Sequence, residues 1–173
     1  MEAVILADRY SRATVEKIIQ YYKRFGIDTV IVVQGSGLEQ IEEIDFDFGK
    51  IIYAKVPKNE NYILQLKRIK SLISDSSFFL TFGNNFCKID LNNLKKFHSR
   101  GGKVASIATV RKNNCYENAG FMVLETDLFE YVTDKMSKIE AHLLSRILQD
   151  DELGFYRYDG KCENVYANKQ IFY

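Results

Sequence analysis

Met1-Glu2-Ala3-Val4-Ile5-Leu6-Ala7, followed at once by Asp8-Arg9-Tyr10-Ser11-Arg12, sets the fold of this chain. Ala3 to Leu6 is a short unbroken apolar run, the pattern of a strand buried on both faces. Val15, Ile18, Ile19, Tyr22 and Phe25 then recur at helical spacing, and Gly26 stands where a helix C-cap belongs. Thr29 to Val33 is a second buried run. Strand, helix and strand in this order make a β-α-β unit, with parallel strands and a right-handed crossover.

The alternation continues outward from this unit. Leu38 and Ile41 suggest a short helix after Gly35-Ser36-Gly37, and Ile51 to Ala54 a strand. Ile63, Leu66, Ile69 and Ile73 mark a helix, Phe78 to Phe82 a strand, and Leu91, Leu94 and Phe97 a helix ended by Gly101-Gly102. Val104 to Val110, Phe121 to Leu124 and Leu153 to Tyr158 read as strands. Ser137-Lys138-Ile139-Glu140 has the form of a capping box opening a helix through Leu143 and Ile147. The expectation is one domain over residues 1–173, a three-layer α/β/α sandwich around a mostly parallel mixed sheet. Ligands in such sheets bind beyond the C-terminal strand ends. That directs attention to four loops: Ala7 to Arg12, Gly35 to Gly37, Gly83 to Asp90 and Asn113 to Gly120.

Composition narrows the function classes. The 173 residues are 46% hydrophobic and 27% charged, with a net charge of +1. That charge makes no global field to gather nucleic acid or an anionic membrane, so neither is an expected partner. The basic clusters (Lys67, Arg68 and Lys70; Lys95, Lys96, Arg100 and Lys103) sit beside regularly spaced apolar residues and read as solvated helix faces. Cys87, Cys115 and Cys162 are odd in number and share no close spacing, which argues against a disulfide framework and against zinc. No leader-like or membrane-length apolar run occurs, so a cytoplasmic location is expected.

Several stretches carry a resemblance. Ala3-Val4-Ile5-Leu6-Ala7 opens the chain, and Tyr22-Lys23-Arg24-Phe25-Gly26-Ile27-Asp28-Thr29-Val30 leads from helix to strand. Phe78-Phe79-Leu80-Thr81-Phe82-Gly83-Asn84-Asn85-Phe86-Cys87-Lys88-Ile89-Asp90-Leu91 and Asn118-Ala119-Gly120-Phe121 follow in order. Together they resemble the sugar-1-phosphate nucleotidyltransferase family, which includes thymidylyl-, cytidylyl-, guanylyl- and uridylyltransferases. The resemblance covers nearly the whole chain, with deletions. It implies the nucleotide-diphospho-sugar transferase fold, Rossmann-like and GT-A-like.

The family's reaction joins a sugar phosphate to a nucleotide's α-phosphorus with loss of pyrophosphate, so catalysis is mostly positioning and charge neutralisation. A Gly-Gly-x-Gly-Thr-Arg loop lets backbone N–H groups reach the phosphates, a Pro-Lys-Pro segment brings a cation, and two aspartates hold magnesium. This sequence departs at each point. Asp8 to Arg12 replaces the glycine loop, and the Pro-Lys-Pro stretch is deleted. Asn84 follows Gly83 where an aspartate is due, and Asn164 takes the second aspartate's place. Asn59 to Leu64 stands for the base-contacting Gly-Thr-Ala loop, and Val110 to Asn118 is too short for the sugar-binding excursion. An amide oxygen brings no charge to magnesium. Metal stabilisation is worth several kcal/mol, at about 1.4 kcal/mol per tenfold in rate, so losing both carboxylates, the lysine and the loop together costs many orders of magnitude.

The reading is therefore a catalytically degenerate nucleotidyltransferase-like protein, a binding or regulatory module, with an active paralogue or a second copy of itself as possible partner. It has no catalytic residue, no metal and no resident cofactor. A remnant site for a nucleotide or sugar phosphate would use Arg9, Arg12, Gly83, Asn84, Asn118, Gly120 and Asn164. Arg9 and Arg12 could grip an anion at a helix N-terminus, or Arg12 could simply pair with Asp8 or Glu16. Two alternatives stay open: a minimal active enzyme using Arg9, Arg12 and magnesium, and a structural homo-oligomer without ligand. Tyr10 and Tyr62, standing where relatives need small residues, suggest a collapsed cleft. Asp150-Asp151-Glu152 reads as a solvated turn. His98 and His142 have no serine, cysteine or carboxylate at meaningful spacing, which predicts surface or half-buried histidines. Ile171-Phe172-Tyr173 is apolar and either folds back or docks on a partner.

Overall fold

The computed structural model describes residues 1–8, 10–35, 44, 49–82, 85–112 and 114–164. The short helix expected after Gly35 and the Ile171-Phe172-Tyr173 segment lie outside the described residues. Strand β1 (Glu2–Leu6) is buried throughout, as its unbroken apolar run requires. Helix α1 (Arg12–Arg24) is capped by Ser11, whose side chain accepts from the Thr14 N–H. Then come β2 (Thr29–Gly35), β3 (Lys50–Val56) and α2 (Tyr62–Ile69), which tightens into a 3₁₀ turn over Lys70–Leu72. Strand β4 (Ser77–Thr81), the short β5 (Asn85–Cys87) and α3 (Leu91–Gly101) follow. Gly102 closes α3 at φ 58°, a left-handed conformation that a glycine takes at little cost. Strands β6 (Ala105–Lys112) and β7 (Cys115–Glu125) form a hairpin. Helix α4 (Ser145–Gln149), β8 (Leu153–Tyr158) and β9 (Cys162–Asn164) complete the order.

Seven strands make one sheet in the order β3-β2-β1-β4-β7-β6-β8. The pairs β1–β2, β2–β3, β1–β4 and β6–β8 are parallel, and β7 runs against both β4 and β6. Side chains of β1 alternate between two cores. Ala3 and Ile5 face a cluster with Val15, Ile18 and Ile19 of α1 and Leu91 and Leu94 of α3. Val4 and Leu6 face a second cluster with Ile63 and Leu66 of α2 and Leu143 and Ile147 near α4. The three layers expected from the sequence are present.

Three expectations change. Cys87 and Cys162 are joined by a disulfide across directly opposed positions of β5 and β9, so the odd cysteine count concealed a bridge. Cys115 is free and exposed. Asn113 to Gly120 is not one loop, because β7 already begins at Cys115. The capping box at Ser137 does not form: a π-helical turn over Ile139–Leu144 leads into α4, without a side-chain cap. The His142 Nδ1 instead accepts the backbone N–H groups of Ser137 (3.0 Å) and Lys138 (3.3 Å).

Candidate functional site

At the C-terminal end of β1 the chain turns tightly, with the Tyr10 N–H donating to the Ala7 carbonyl at 2.9 Å. Between them stands Asp8. Its Oδ1 accepts from the Gly35 N–H at 2.6 Å, where β2 ends, and its Oδ2 accepts from the Gln65 Nε2 on α2. Gln65 is fully buried, also donates to the Glu60 carbonyl at 2.8 Å, and leaves its Oε1 without a partner. The half-buried carboxylate thus takes up backbone and amide donors at the C-terminal ends of β1 and β2, the end of such a sheet where ligands bind. Tyr10 is only 7% exposed and its ring joins the core formed with α1. Tyr62 lies edge-on to Phe82 at 5.9 Å. Arg12, the first residue of α1, pairs with Glu16 at 2.9 Å, both side chains being exposed.

Two strands across the sheet from β1, β7 carries Asn118 and Gly120. The Asn118 Oδ1 accepts from the Gly120 N–H at 2.8 Å, and its Nδ2 is buried without a partner. Gly120 has φ +95°, and a Cβ there would stand 2.1 Å from the Asn85 carbonyl oxygen. Only glycine lets β5 approach this closely. The Asn85 Nδ2 donates to the Asn118 carbonyl at 2.8 Å and to the Glu117 carboxylate at 3.3 Å. The ladder between β6 and β7 is irregular at this level, where Ile107 opposes Met122 but Thr109 opposes Asn118.

Strand β9 brings Asn164 directly opposite Asn85. The position that the resemblance gives to the second magnesium aspartate therefore returns to the strand that follows position 84, from a distant part of the chain. Arg9, Gly83 and Asn84 themselves lie outside the described residues. Besides the disulfide, β9 is held by an ion pair between Glu163 and Lys17, which sets the Glu163 carboxyl below its usual range; the Lys17 ammonium also lies 4.9 Å from the Phe86 ring centre. These groups do not fit a magnesium ion. Asn85 and Asn164 bring no charge, Glu117 is shared with Lys112 at 3.4 Å, and Glu163 is committed to Lys17. Among the described residues no group of three or more His, Cys, Asp or Glu is placed to hold a metal.

Sequence reasoning singled out Asn118, Gly120 and Asn164, and the structure brings all three together around Asn85. It missed Asp8 and Gln65 as a contact pair, since 57 residues separate them. The apolar face of α2 gave the one available signal: Gln65 is a polar residue between the core positions Ile63 and Leu66. The reading of His98 is corrected. It is 3% exposed, its Nε2 lies 2.7 Å from the Glu125 carboxylate, and its Nδ1 lies 2.9 Å from the Ser106 hydroxyl. The partners come from β6 and β7 while His98 is on α3, so no helical spacing announces them. This array lies at the opposite edge of the sheet, near the start of β6 and the end of β7. Two phenols of α1 are buried in the first core cluster. Burial pushes the Tyr21 pKa up to about 12, Tyr158 adding to the shift, and the Tyr21 hydroxyl donates to the Ile89 carbonyl at 2.7 Å. Burial also raises Tyr22, beside Thr81.

A seven-stranded sheet with one reversed strand and helices on both faces defines an α/β nucleotide-diphospho-sugar transferase fold. In sequence the chain is similar to a probable glucose-1-phosphate cytidylyltransferase of Bacillus subtilis (strain 168). The two are 23% identical over 83% of this chain and 75% of that one. The crystal structure of HddC from Yersinia pseudotuberculosis superposes with a TM-score of 0.73 at 13% identity, covering 95% of this chain and 93% of that one. A UTP-bound UGPase from Acinetobacter baumannii gives 0.73 at 12% identity, over 95% and 88%. The inositol-1-phosphate CTP transferase of T. maritima gives 0.68 at 12% identity, over 94% and 86%. No family model matches the chain. The sequence likeness is to a glucose-1-phosphate cytidylyltransferase, and the structural likenesses show the shared fold. No helix among the described residues is long and apolar enough to cross a membrane.

Proposed function

We propose that residues 1–173 form one nucleotidyltransferase-like unit that has lost catalysis and acts as a binding or regulatory module. The observation that carries this reading is the Asp8 carboxylate, hydrogen-bonded to the Gly35 N–H and to Gln65 at the end of β1. A carboxylate bonded to such donors contributes stability of about 1.5–3 kcal/mol per charged hydrogen bond, and a phosphate entering there meets like charge and spent donors. Asn164 supports the same reading from the other wall. The remnant site is then a pocket for a nucleotide or sugar phosphate, drawing on Arg9, Arg12, Gly83, Asn84, Asn118, Gly120 and Asn164 without magnesium. Relatives described as UTP-bound or complexed with GMP-PN make a nucleotide the first ligand to try. An active paralogue or a second copy is the partner such a module would serve. The Cys87–Cys162 bridge weighs against the reducing cytoplasm expected from the sequence.

Thermal unfolding against nucleoside triphosphates, sugar 1-phosphates and nucleotide sugars, with magnesium and with chelator, tests this. A ligand at ~100 times its dissociation constant adds about 2.7 kcal/mol, roughly 5–11 °C for a chain of this size. A shift that survives chelation is the expected result. Magnesium-dependent release of pyrophosphate from a nucleoside triphosphate and a sugar 1-phosphate would overturn the loss of catalysis.

A further inference from the structure

Strand β8 closes one end of the sheet: β6 lies on one side of it, and among the described residues no strand lies on the other. The Ala105 N–H donates to the Glu152 carbonyl at 3.1 Å, with Ala105 opposite Leu153. In a parallel ladder this turns the backbone groups of Gly154, Tyr156 and Tyr158 toward β6 and those of Leu153, Phe155 and Arg157 outward. Proteins ordinarily blunt such an edge with lysine, proline or a bulge. The opposite edge strand, β3, carries Lys50 and Lys55. By contrast β8 has no lysine or proline, and its register with β6 runs unbroken from Leu153 to Tyr158. Three of the four large apolar side chains exposed among the described residues stand here: Phe155 of β8 itself (47%), Tyr116 (53%) and Leu148 (48%). They edge a groove of about 250 Å³ whose lining includes Leu153.

We infer that β8 pairs antiparallel with the β8 of a second copy of this chain, about a twofold axis through Gly154. The strand is complementary to itself in that register. Leu153 stands opposite the partner's Phe155, both with outward N–H and C=O groups, so each strand completes the other's ladder. Leu153 and Phe155 both line the groove, so each Phe155 covers apolar surface at the rim of the other copy's groove. Charge sets the direction. The strand is entered through Asp151 and Glu152 and holds a single charge, Arg157, near its far end. Antiparallel pairing puts each Arg157 against the partner's Asp151, whose side chain is 96% exposed and lies 3.0 Å from Lys103. A parallel, in-register pair would set like charges side by side. The Arg157 guanidinium also lies 5.5 Å from the Tyr116 ring centre, which gathers an arginine and two aromatic rings, the residues that most often anchor an interface, at one edge. The second copy is thereby the partner of the module proposed above, and the pairing itself needs no ligand.

Sedimentation and amide hydrogen exchange of the full chain test this. The expected result is a dimer in which the Phe155 and Arg157 amides are protected. In the monomer they should exchange at least about tenfold faster, while Tyr156 and Tyr158 stay protected in both. Phe155→Lys, at an exposed position, should sediment as a monomer where the parent is dimeric and keep the parent's core amide protection. Arg157→Asp should weaken association at least about tenfold, and Asp151→Arg in the same chain should restore it. Protein that stays monomeric at millimolar concentration overturns the inference, and so does a dimer that survives Phe155→Lys unchanged. Protection of Phe155 and Arg157 in the monomer also overturns it, since the edge is then covered by the chain itself. A monomer that still binds a nucleotide refutes this pairing alone and leaves the proposed function standing.

Discussion

Reducing the Cys87–Cys162 bridge should lower stability by an amount set by chain length. The cysteines are 75 residues apart. A closed loop of this size removes an entropy of about 15 cal/mol/K from the unfolded chain, or roughly 4.5 kcal/mol at 25 °C, in the chain-entropy account. Engineered and native bridges often deliver less, so about 2–4.5 kcal/mol is expected. For a domain of this size that is roughly 4–18 °C in the unfolding midpoint. The assay is thermal unfolding of the oxidised protein, of the protein in excess dithiothreitol, and of Cys162→Ser. Thiol titration of the denatured protein should find a single thiol, Cys115, before reduction and all three cysteines after. The reduced protein and Cys162→Ser should melt together, below the oxidised form. Three reactive thiols in protein never exposed to reductant, or coincident midpoints in all three samples, would refute the reasoning.

Gly120→Ala should cost more than about 3 kcal/mol in denaturant unfolding, because the new Cβ meets the Asn85 carbonyl at 2.1 Å and the positive φ adds its own strain; a cost below about 1 kcal/mol would show that β5 yields easily. Asp8→Ala should tighten binding of a nucleoside triphosphate by at least about tenfold, or ~1.4 kcal/mol, measured by calorimetry. Unchanged affinity would separate Asp8 from the ligand site. Tyrosine absorbance should reveal a phenol titrating near pH 12, which is lost in Tyr21→Phe. Because folding raises this pKa above its ordinary value of 10.0, the stability it contributes is whole below pH 10 and falls as pH rises through about 12. A Tyr21→Phe variant that loses stability over the same pH interval as the parent would sink that assignment.

The parallel half of the sheet was legible because buried parallel strands are written as unbroken runs, such as Ala3 to Leu6 and Val30 to Val33. Helices α1, α2 and α3 were legible from their apolar stripes. The reversed direction of β7 was not, since a run like Phe121 to Leu124 reads the same either way. β5 and β9 are three residues each, too short for any period to show, and the disulfide follows only from their pairing. The Asn118 and Gly120 positions were found through the order of motifs. Asp8 reads in the sequence as a missing glycine and a possible partner of Arg12, whereas its carboxylate bonds the end of β2 and Gln65 of α2. Ser137 to Glu140 fits a capping box as text, yet the His142 ring accepts the N–H groups first.

Ser106, His98 and Glu125 stand in the order and at the distances of a hydrolase's nucleophile, base and orienting acid, yet the serine and the histidine are closed off from solvent and only Glu125 is part-exposed. Ser106 is 2% exposed, and a methyl group added at Gly154 would stand 3.0 Å from its hydroxyl and 3.1 Å from the Phe97 ring. An ester carbonyl approaching that oxygen, and the tetrahedral centre it would become, have no room. The three groups work as a rivet instead, pinning α3 to β6 and β7 through polar bonds that a dry interior strengthens. Reactivity in such an array is decided by free volume around the oxygen, and here packing has already used it.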